Sequence, residues 1–153
     1  MEIRIAEKKD VKAILPLFIE LDKKHIKGST DFKSKIHIDR YKKIFNAVFQ
    51  KENNLLLTVS IIDNKIIGFV LAKIYEVKNN FVFKDQKKGE IVYIAINHKN
   101  KREGIGRKMI EDIEVRLKAK GASKIEIRVY SFNTEMTPEK FNYVPKFTVY
   151  EKF

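Results

Sequence analysis

A basic turn with two glycines lies between an apolar run and an amphipathic run in the second half of the chain. The turn covers residues 101–107, Lys-Arg-Glu-Gly-Ile-Gly-Arg, and Lys108 follows it. Glycine allows a backbone to approach a ligand closely. A helix N-terminus offers unpaired N–H groups and the positive end of the helix dipole. Because Lys101, Arg102 and Arg107 add positive charge at the same point, we expect the turn to bind a phosphate-bearing ligand.

The segments on either side of this turn have the patterns of a strand and a helix. Residues 91–96 form a short apolar run that is typical of a buried strand. The run after the turn predicts a helix that begins at Gly104 or Ile105 and ends at Lys120, with Gly121 as its C-cap. Its apolar positions recur at helical spacing: Ile105, Met109, Ile110, Ile113 and Leu117.

The rest of the chain predicts a mixed sheet with helices on its faces. Helices are expected after Asp10, with a kink or a later start caused by Pro16, and over residues 39–50. A single helical turn is expected over residues 136–140. Residues 76–89 are polar and predict a loop with a strand extension. Further strands are expected over residues 2–6, 54–62, 66–75, 124–130 and 147–150, with a hairpin turn at 63–65.

Composition limits the class of protein. The 153 residues fit one domain, taken here as 1–153, and no apolar run is long enough to cross a membrane. The first residues lack the apolar segment of a signal peptide, so we expect a cytoplasmic protein without a membrane partner. The chain has no cysteine, which excludes disulfides and thiol catalysis.

The net charge of +12 has three interpretations. It can reflect a lysine-rich composition on every solvated face, attraction to a polyanionic small molecule, or nucleic-acid binding. The basic residues are spread over the whole length and are not interleaved with aromatic residues. A nucleic-acid partner is therefore not expected.

With the strand, the turn and the helix taken together, the sequence resembles the GNAT (Gcn5-related N-acetyltransferase) superfamily. The family motif is Gln/Arg-x-x-Gly-x-Gly/Ala, placed after an apolar strand and opening a long helix. Residues 101–106 follow Ile96 at that spacing, with Lys101 in the Gln/Arg place, and the element order agrees from Ile3 through Tyr130. The resemblance implies an α/β (α+β) GNAT fold. Its sheet would be mixed, mostly antiparallel and of six to seven strands, with splayed central strands and helices on both faces.

The resemblance also implies acetyl-CoA (CoA) as cofactor. Backbone N–H groups across residues 102–107 (Arg102, Glu103, Gly104, Ile105, Gly106 and Arg107), with Lys101 beside them, would hold the pyrophosphate. Ile94 and Ile96 would pair with the pantetheine arm like an added strand, and a nearby N–H would polarise the thioester carbonyl. Asn133 matches a position that often contacts the cofactor, although an asparagine in an ordinary turn is an equal alternative.

Catalytic residues follow from the same resemblance. Glu90 matches the glutamate that acts as general base in the histone-acetylating branch; the alternative is a solvated residue at the start of a strand. The tyrosine that protonates the leaving thiolate in many members has no direct equivalent, because Asn142 holds its place. Tyr143 is the neighbouring candidate, and the alternative is an aromatic side chain that packs under the C-terminal strand. No metal site is expected, since no cluster has ligand spacing.

The expected reaction is therefore direct transfer of an acetyl group to a primary amine of a small molecule or peptide within a ternary complex. The atypical segment 142–146 keeps a second hypothesis open: a catalytically silent GNAT fold that binds CoA or a protein partner. A nucleic-acid-binding module is the third hypothesis. Members of the family often pair as homodimers, which the sequence neither requires nor excludes.

Overall fold

The computed structural model describes residues 1–50, 54–100 and 104–152. Its strands are β1 (Glu2–Ile5), β2 (Leu55–Ile62), β3 (Lys65–Val77), β4 (Gln86–Ile96) and β5 (Lys124–Ile127). Its α-helices are α1 (Val11–Gly28), α2 (Ile38–Val48) and α3 (Ile105–Ala119). Within these residues no helix is long and apolar enough to span a bilayer.

The strands form one sheet in the order β1-β2-β3-β4-β5. The first four are antiparallel neighbours, and β5 runs parallel to β4. The hairpin between β2 and β3 turns at Asp63 and Asn64, which have positive φ angles of 48° and 59°. Two successive positive φ angles are the signature of the type I′ turn that suits twisted hairpins. The predicted hairpin is thus present, with the turn residues that its geometry requires.

Strands β4 and β5 separate after a short paired region. Their register begins at Lys88 opposite Lys124 and ends at Ile91 opposite Ile127. The β3–β4 register shifts at this point, because Ala72 faces Ile91 while the preceding residue of β3 faces Tyr93. Val92 is therefore the extra residue of a β-bulge, which bends a strand locally. The splay of the central strands that the resemblance implied therefore begins at this bulge.

Helices cover both faces of the sheet. The predicted apolar stripe of α3 is buried against one face, where it meets Val70, Ala72 and Ile91. Helices α1 and α2 cover the other face, where Phe18 stacks on Phe69 with ring centroids 4.8 Å apart. These two cores fix β4 between α3 and α1, so the end of β4 and the beginning of α3 are held in one place.

The predicted mixed α/β fold is confirmed, with differences in its strands and in one helix. The described residues contain five strands rather than six to seven, and residues 147–150 form none. Phe147, Val149 and Tyr150 are exposed, so the apolar side chains of this segment do not pack on the sheet. Helix α1 begins at Val11 with Pro16 inside it, so the later start is wrong. The segment 76–89 contributes the end of β3 and the start of β4, so the strand extension is present.

Candidate active site

The beginning of α3 is a turn whose first N–H groups have no acceptor within the helix. Gly104 is the N-cap, with φ 74° and ψ 4°, and no side chain of the described residues caps the helix. The N–H of Lys108 donates to the carbonyl of Gly104 at 3.3 Å. The N–H groups of Ile105, Gly106 and Arg107 precede that bond and have no acceptor within the helix. A Cβ added at Gly104 would meet no atom of the described residues within 4 Å, so a side chain has space at this position.

Gly106 brings the helix close to the end of β4. A Cβ built on Gly106 would lie 3.3 Å from Cδ1 of Ile96, and the buried side chain of Ile105 anchors the same turn in the core. The donors of the first turn therefore adjoin the last residue of β4. Of the predicted phosphate residues, Lys101, Arg102 and Glu103 lie outside the described residues.

Beyond the bulge, β5 no longer pairs with the edge of β4 that faces away from β3. The N–H of Asn97 donates across to Ile67 of β3 at 2.7 Å. Backbone groups alternate in direction along a strand, so those of Ile96 and Ile94 point to the other side. The paired region of β5 ends at Ile127 and does not reach them. The backbone of Ile94 and Ile96 is thus placed to pair with an extended ligand.

A small cavity of about 50 Å³ lies where β4 and β5 separate. Its walls come from β4, from the end of β5 with the segment that follows, and from α1. The lining residues are Ile91, Val92, Tyr93, Ile94, Ile127, Arg128, Val129, Asn133, Met136, Leu21 and His25. Asn133 and Ile94, both predicted cofactor residues, are therefore brought to one cavity although they are far apart in sequence.

Glu90 is buried, with 7% of its surface exposed. Its Oε2 lies 3.0 Å from Nζ of Lys73 on β3, and its Oε1 lies 3.7 Å from Nε of Arg128. Because Arg128 also lines the cavity, one side chain connects the Glu90 carboxylate with the strand gap. The predicted base is neither a solvated strand start nor an unpaired carboxylate.

Glu126 of β5 is a second carboxylate, and it lies opposite Glu90 of β4. Glu126 accepts hydrogen bonds from Lys146 at 2.7 Å, Lys88 at 2.9 Å and the hydroxyl of Tyr75 at 3.1 Å. These donors, Lys146 first, lower the pKa of Glu126 to about 2 against the opposing effect of burial. Glu126 is therefore ionised at neutral pH and binds Lys146 of the C-terminal segment to β5.

Tyr143 packs against the α3 side of the sheet. Its hydroxyl donates to Oε1 of Glu114, a residue of α3, at 2.7 Å. Burial, together with this hydrogen bond, raises the pKa of Tyr143 above its usual range. The phenol is thus protonated at neutral pH and is directed at α3.

The side chain of Arg107 also turns toward the C-terminal segment. Its Nη2 donates to the carbonyl of Lys140 at 3.0 Å, and its guanidinium lies over the Phe141 ring with Cζ 5.1 Å from the centroid. Arg107 therefore joins α3 to the turn before Tyr143, while its backbone N–H belongs to the open first turn. The expected helical turn is a 3-10 helix, Pro138–Phe141.

An aromatic cluster that sequence reasoning missed lies beside the cavity; we define it as His25, Phe32, Tyr130 and Phe132. His25 stacks on Phe32 with ring centroids 5.1 Å apart and an interplanar angle of 12°. Tyr130 stacks on Phe132 at 5.2 Å and 22°. His25 lies on α1, whereas the other three lie in irregular segments. No local period marks them, although Tyr130 and Phe132 closely precede Asn133.

The fold and the site together define an α/β protein in which the start of a helix adjoins a gap between two strands. The sequence profile of the Acetyltransferase (GNAT) family matches residues 25–138. The chain therefore belongs to the GNAT acetyltransferase family, and the resemblance found in the sequence is confirmed. None of the curated proteins matches the sequence.

Solved structures share the fold. A mutant of the BH1408 protein from Bacillus halodurans is 22% identical with a TM-score of 0.83, and the match covers 100% of this chain and 99% of that one. An acetyltransferase from Vibrio fischeri is 26% identical with a TM-score of 0.64, covering 83% and 94%. An aminoglycoside N-acetyltransferase in complex with CoA is 15% identical with a TM-score of 0.66, covering 99% of each chain.

Proposed function

We propose that this protein is an N-acetyltransferase that uses acetyl-CoA and acetylates a primary amine by direct transfer in a ternary complex. The observation that carries the proposal is the pairing of two features at one point of the fold. The uncapped, open first turn of α3 adjoins the end of β4, and the outward edge of β4 lies beyond the paired part of β5. Family membership and the CoA complex of a protein with the same fold support it.

The residues present fit this cofactor. The N–H groups of Ile105, Gly106 and Arg107 would hold its pyrophosphate, since N–H groups without an acceptor within the helix suit an anion. The backbone groups of Ile94 and Ile96 would pair with an extended arm that lies between the strands. When bound, acetyl-CoA supplies an acetyl group activated as a thioester. Asn133 would contact it from the far wall of the cavity.

Glu90 is the proposed general base. A carboxylate can accept the amine proton directly or through a water molecule. Lys73 and Arg128 fix the position of the Glu90 carboxylate, and Arg128 connects it with the cavity in which the amine would meet the thioester. Tyr143 remains the proposed proton donor for the leaving thiolate, which requires its hydroxyl to turn from Glu114 during the reaction.

Replacing Glu90 tests this role. Glu90→Gln should lower kcat by about 100-fold at neutral pH, the usual contribution of a general base, and should leave the Kd for acetyl-CoA within about twofold because no cofactor contact is changed. Glu76→Gln is the matched control, since Glu76 is an exposed carboxylate that pairs with Lys78 and does not line the cavity. Equal kcat values for the wild type and Glu90→Gln would remove Glu90 from the mechanism.

A panel of primary amines tests the activity itself. Free CoA is measured with a thiol reagent, and the absence of cysteine from the chain keeps protein thiols out of the signal. The proposal predicts CoA release that depends on the amine and an N-acetyl product detectable by mass spectrometry. Acetyl-CoA binding without release for any amine would favour the second candidate, a silent GNAT fold, which the exposed and irregular segment 144–150 motivates.

A further inference from the structure

We propose that the aromatic cluster of His25, Phe32, Tyr130 and Phe132 is the acceptor site, and that the acceptor is a primary amine carried on a flat aromatic group. This inference rests on the proposed acetyltransferase function. It adds the substrate class and the residues that select it.

The cluster borders the cavity at the strand gap. His25 lines that cavity together with Ile94, and its ring centroid lies 6.0 Å from those of both Tyr130 and Phe132. Arg128, Val129 and Asn133, which flank Tyr130 and Phe132 in sequence, also line the cavity. A ligand resting on the cluster would thus lie next to the β4 edge at which the thioester is expected.

The rings of the aromatic cluster pack on one another and on α1, so they form a continuous surface, here called the wall, rather than an open cage. Phe32 meets Tyr130 edge-on at 5.4 Å, so the two stacked pairs are in contact with each other. Phe132 lies directly on the backbone of α1, because a Cβ added at Gly28 would be 2.3 Å from its Cδ2. Tyr130 is 45% exposed, so part of the wall faces solvent. A flat ring can stack on such a surface without disturbing the core.

The charges near the wall disfavour acceptors with several ammonium groups. Asp22 is bound by Arg40 and by the hydroxyl of Tyr41, and Lys24 binds Glu135 at 2.6 Å. These carboxylates are therefore already engaged by cations. Arg128 has a 72% exposed side chain and adds positive charge at the cavity.

His25 adds no charge of its own at neutral pH. Burial lowers the pKa of its imidazole, and nearby Arg40 and Lys24 act in the same direction, while Asp22 opposes them. The surroundings of the wall are thus apolar with a positive rim. A monoamine whose remaining surface is flat and apolar fits them better than a polyamine.

Three acceptors of graded chemistry test the inference. Phenethylamine carries a flat ring, cyclohexylethylamine has the same carbon skeleton without the flat π face, and spermidine is a polyamine. For wild-type protein we expect kcat/KM to be about tenfold higher for phenethylamine than for cyclohexylethylamine, and higher again than for spermidine. Binding of phenethylamine to the protein saturated with CoA is followed by calorimetry.

Two variants test whether the preference for phenethylamine depends on the rings of the wall. Tyr130→Leu and Phe32→Leu keep apolar bulk but remove a stacking face. Each should raise KM for phenethylamine by about tenfold with kcat nearly unchanged, and neither should alter the Kd for acetyl-CoA. Phe83→Leu is the control, since Phe83 is an exposed aromatic residue in the loop between β3 and β4. Thermal unfolding checks that each variant is folded.

The outcomes separate the two proposals. If acetyl-CoA does not bind, the acetyltransferase proposal fails and the acceptor site fails with it. If acetyl-CoA binds but phenethylamine neither binds nor is acetylated, the acceptor inference is wrong. It is also wrong if kcat/KM is no higher for phenethylamine than for cyclohexylethylamine, or if both variants keep the wild-type KM for phenethylamine. In each of these cases, acetylation of another amine would still support the acetyltransferase proposal.

Discussion

A charge placed at Gly104 should weaken cofactor binding without harming the fold. Gly104 has a φ of 74°, and a side chain there would enter open space. Asparagine and aspartate are the non-glycine residues that best tolerate this conformation. Gly104→Asn and Gly104→Asp therefore form a matched pair with the same shape that differs by one negative charge.

The size of the effect follows from Coulomb's law. A carboxylate about 5 Å from a phosphate held by the first turn of α3 would cost about 1–3 kcal/mol for effective dielectric constants between roughly 80 and 20. This corresponds to a Kd about 5- to 150-fold higher for Gly104→Asp than for Gly104→Asn. The same carboxylate at a helix N-terminus stabilises the fold by about 0.3–1 kcal/mol. Affinity and stability should therefore change in opposite directions.

Calorimetry with acetyl-CoA and urea unfolding measure these two quantities on the same samples. Salt should shrink the difference in Kd, because screening weakens an exposed charge interaction. If Gly104→Asp and Gly104→Asn bind acetyl-CoA equally at low salt, the first turn of α3 does not hold the phosphates. A less stable Gly104→Asp would show that the affinity loss reflects damage to the fold.

Three further substitutions test separate parts of the structure. Tyr143→Phe should lower kcat by about 100-fold if this phenol protonates the thiolate; an unchanged kcat would contradict that role. Glu126→Gln should lose about 2–3 kcal/mol of unfolding free energy at pH 6, because Lys146 and its other donors stabilise the charged form. Since the folded pKa is lowered to about 2, this contribution is present above the usual pKa of about 4.5 and is lost as pH falls toward 2. A difference in urea unfolding that did not shrink with falling pH would contradict this origin. Gly89→Val should cost about 1–3 kcal/mol by urea unfolding, since an added Cβ would lie 2.9 Å from Cδ1 of Leu117; wild-type stability would show that Leu117 can move aside.

The features that could be predicted from the sequence are those with a local physical cause. The apolar spacing of α3 reports directly which side is buried, and all five predicted inward residues are buried. The turn at Asp63 and Asn64 follows from their tolerance of positive φ. The glycine turn before α3 was likewise visible, because Gly104 adopts a conformation that disfavours other residues.

The features that the sequence did not predict depend on contacts between distant segments. The sequence predicted a strand extension within the polar segment 76–89 but gave no sign that Lys88 is buried, where it pairs with Glu126 on β5. The aromatic cluster joins α1, the segment before α2 and the segment after β5, so no local period reveals it. The strand predicted at residues 147–150 had the right residue types but lacks a surface on which to pack.

Calorimetric titration of the wild-type protein with acetyl-CoA tests the central claim most directly. The open first turn of α3 and the outward edge of β4 predict saturable binding that is stronger at low salt and that raises the Tm. The absence of binding heat, together with a Tm that acetyl-CoA does not raise, would contradict the assignment of this site to acetyl-CoA.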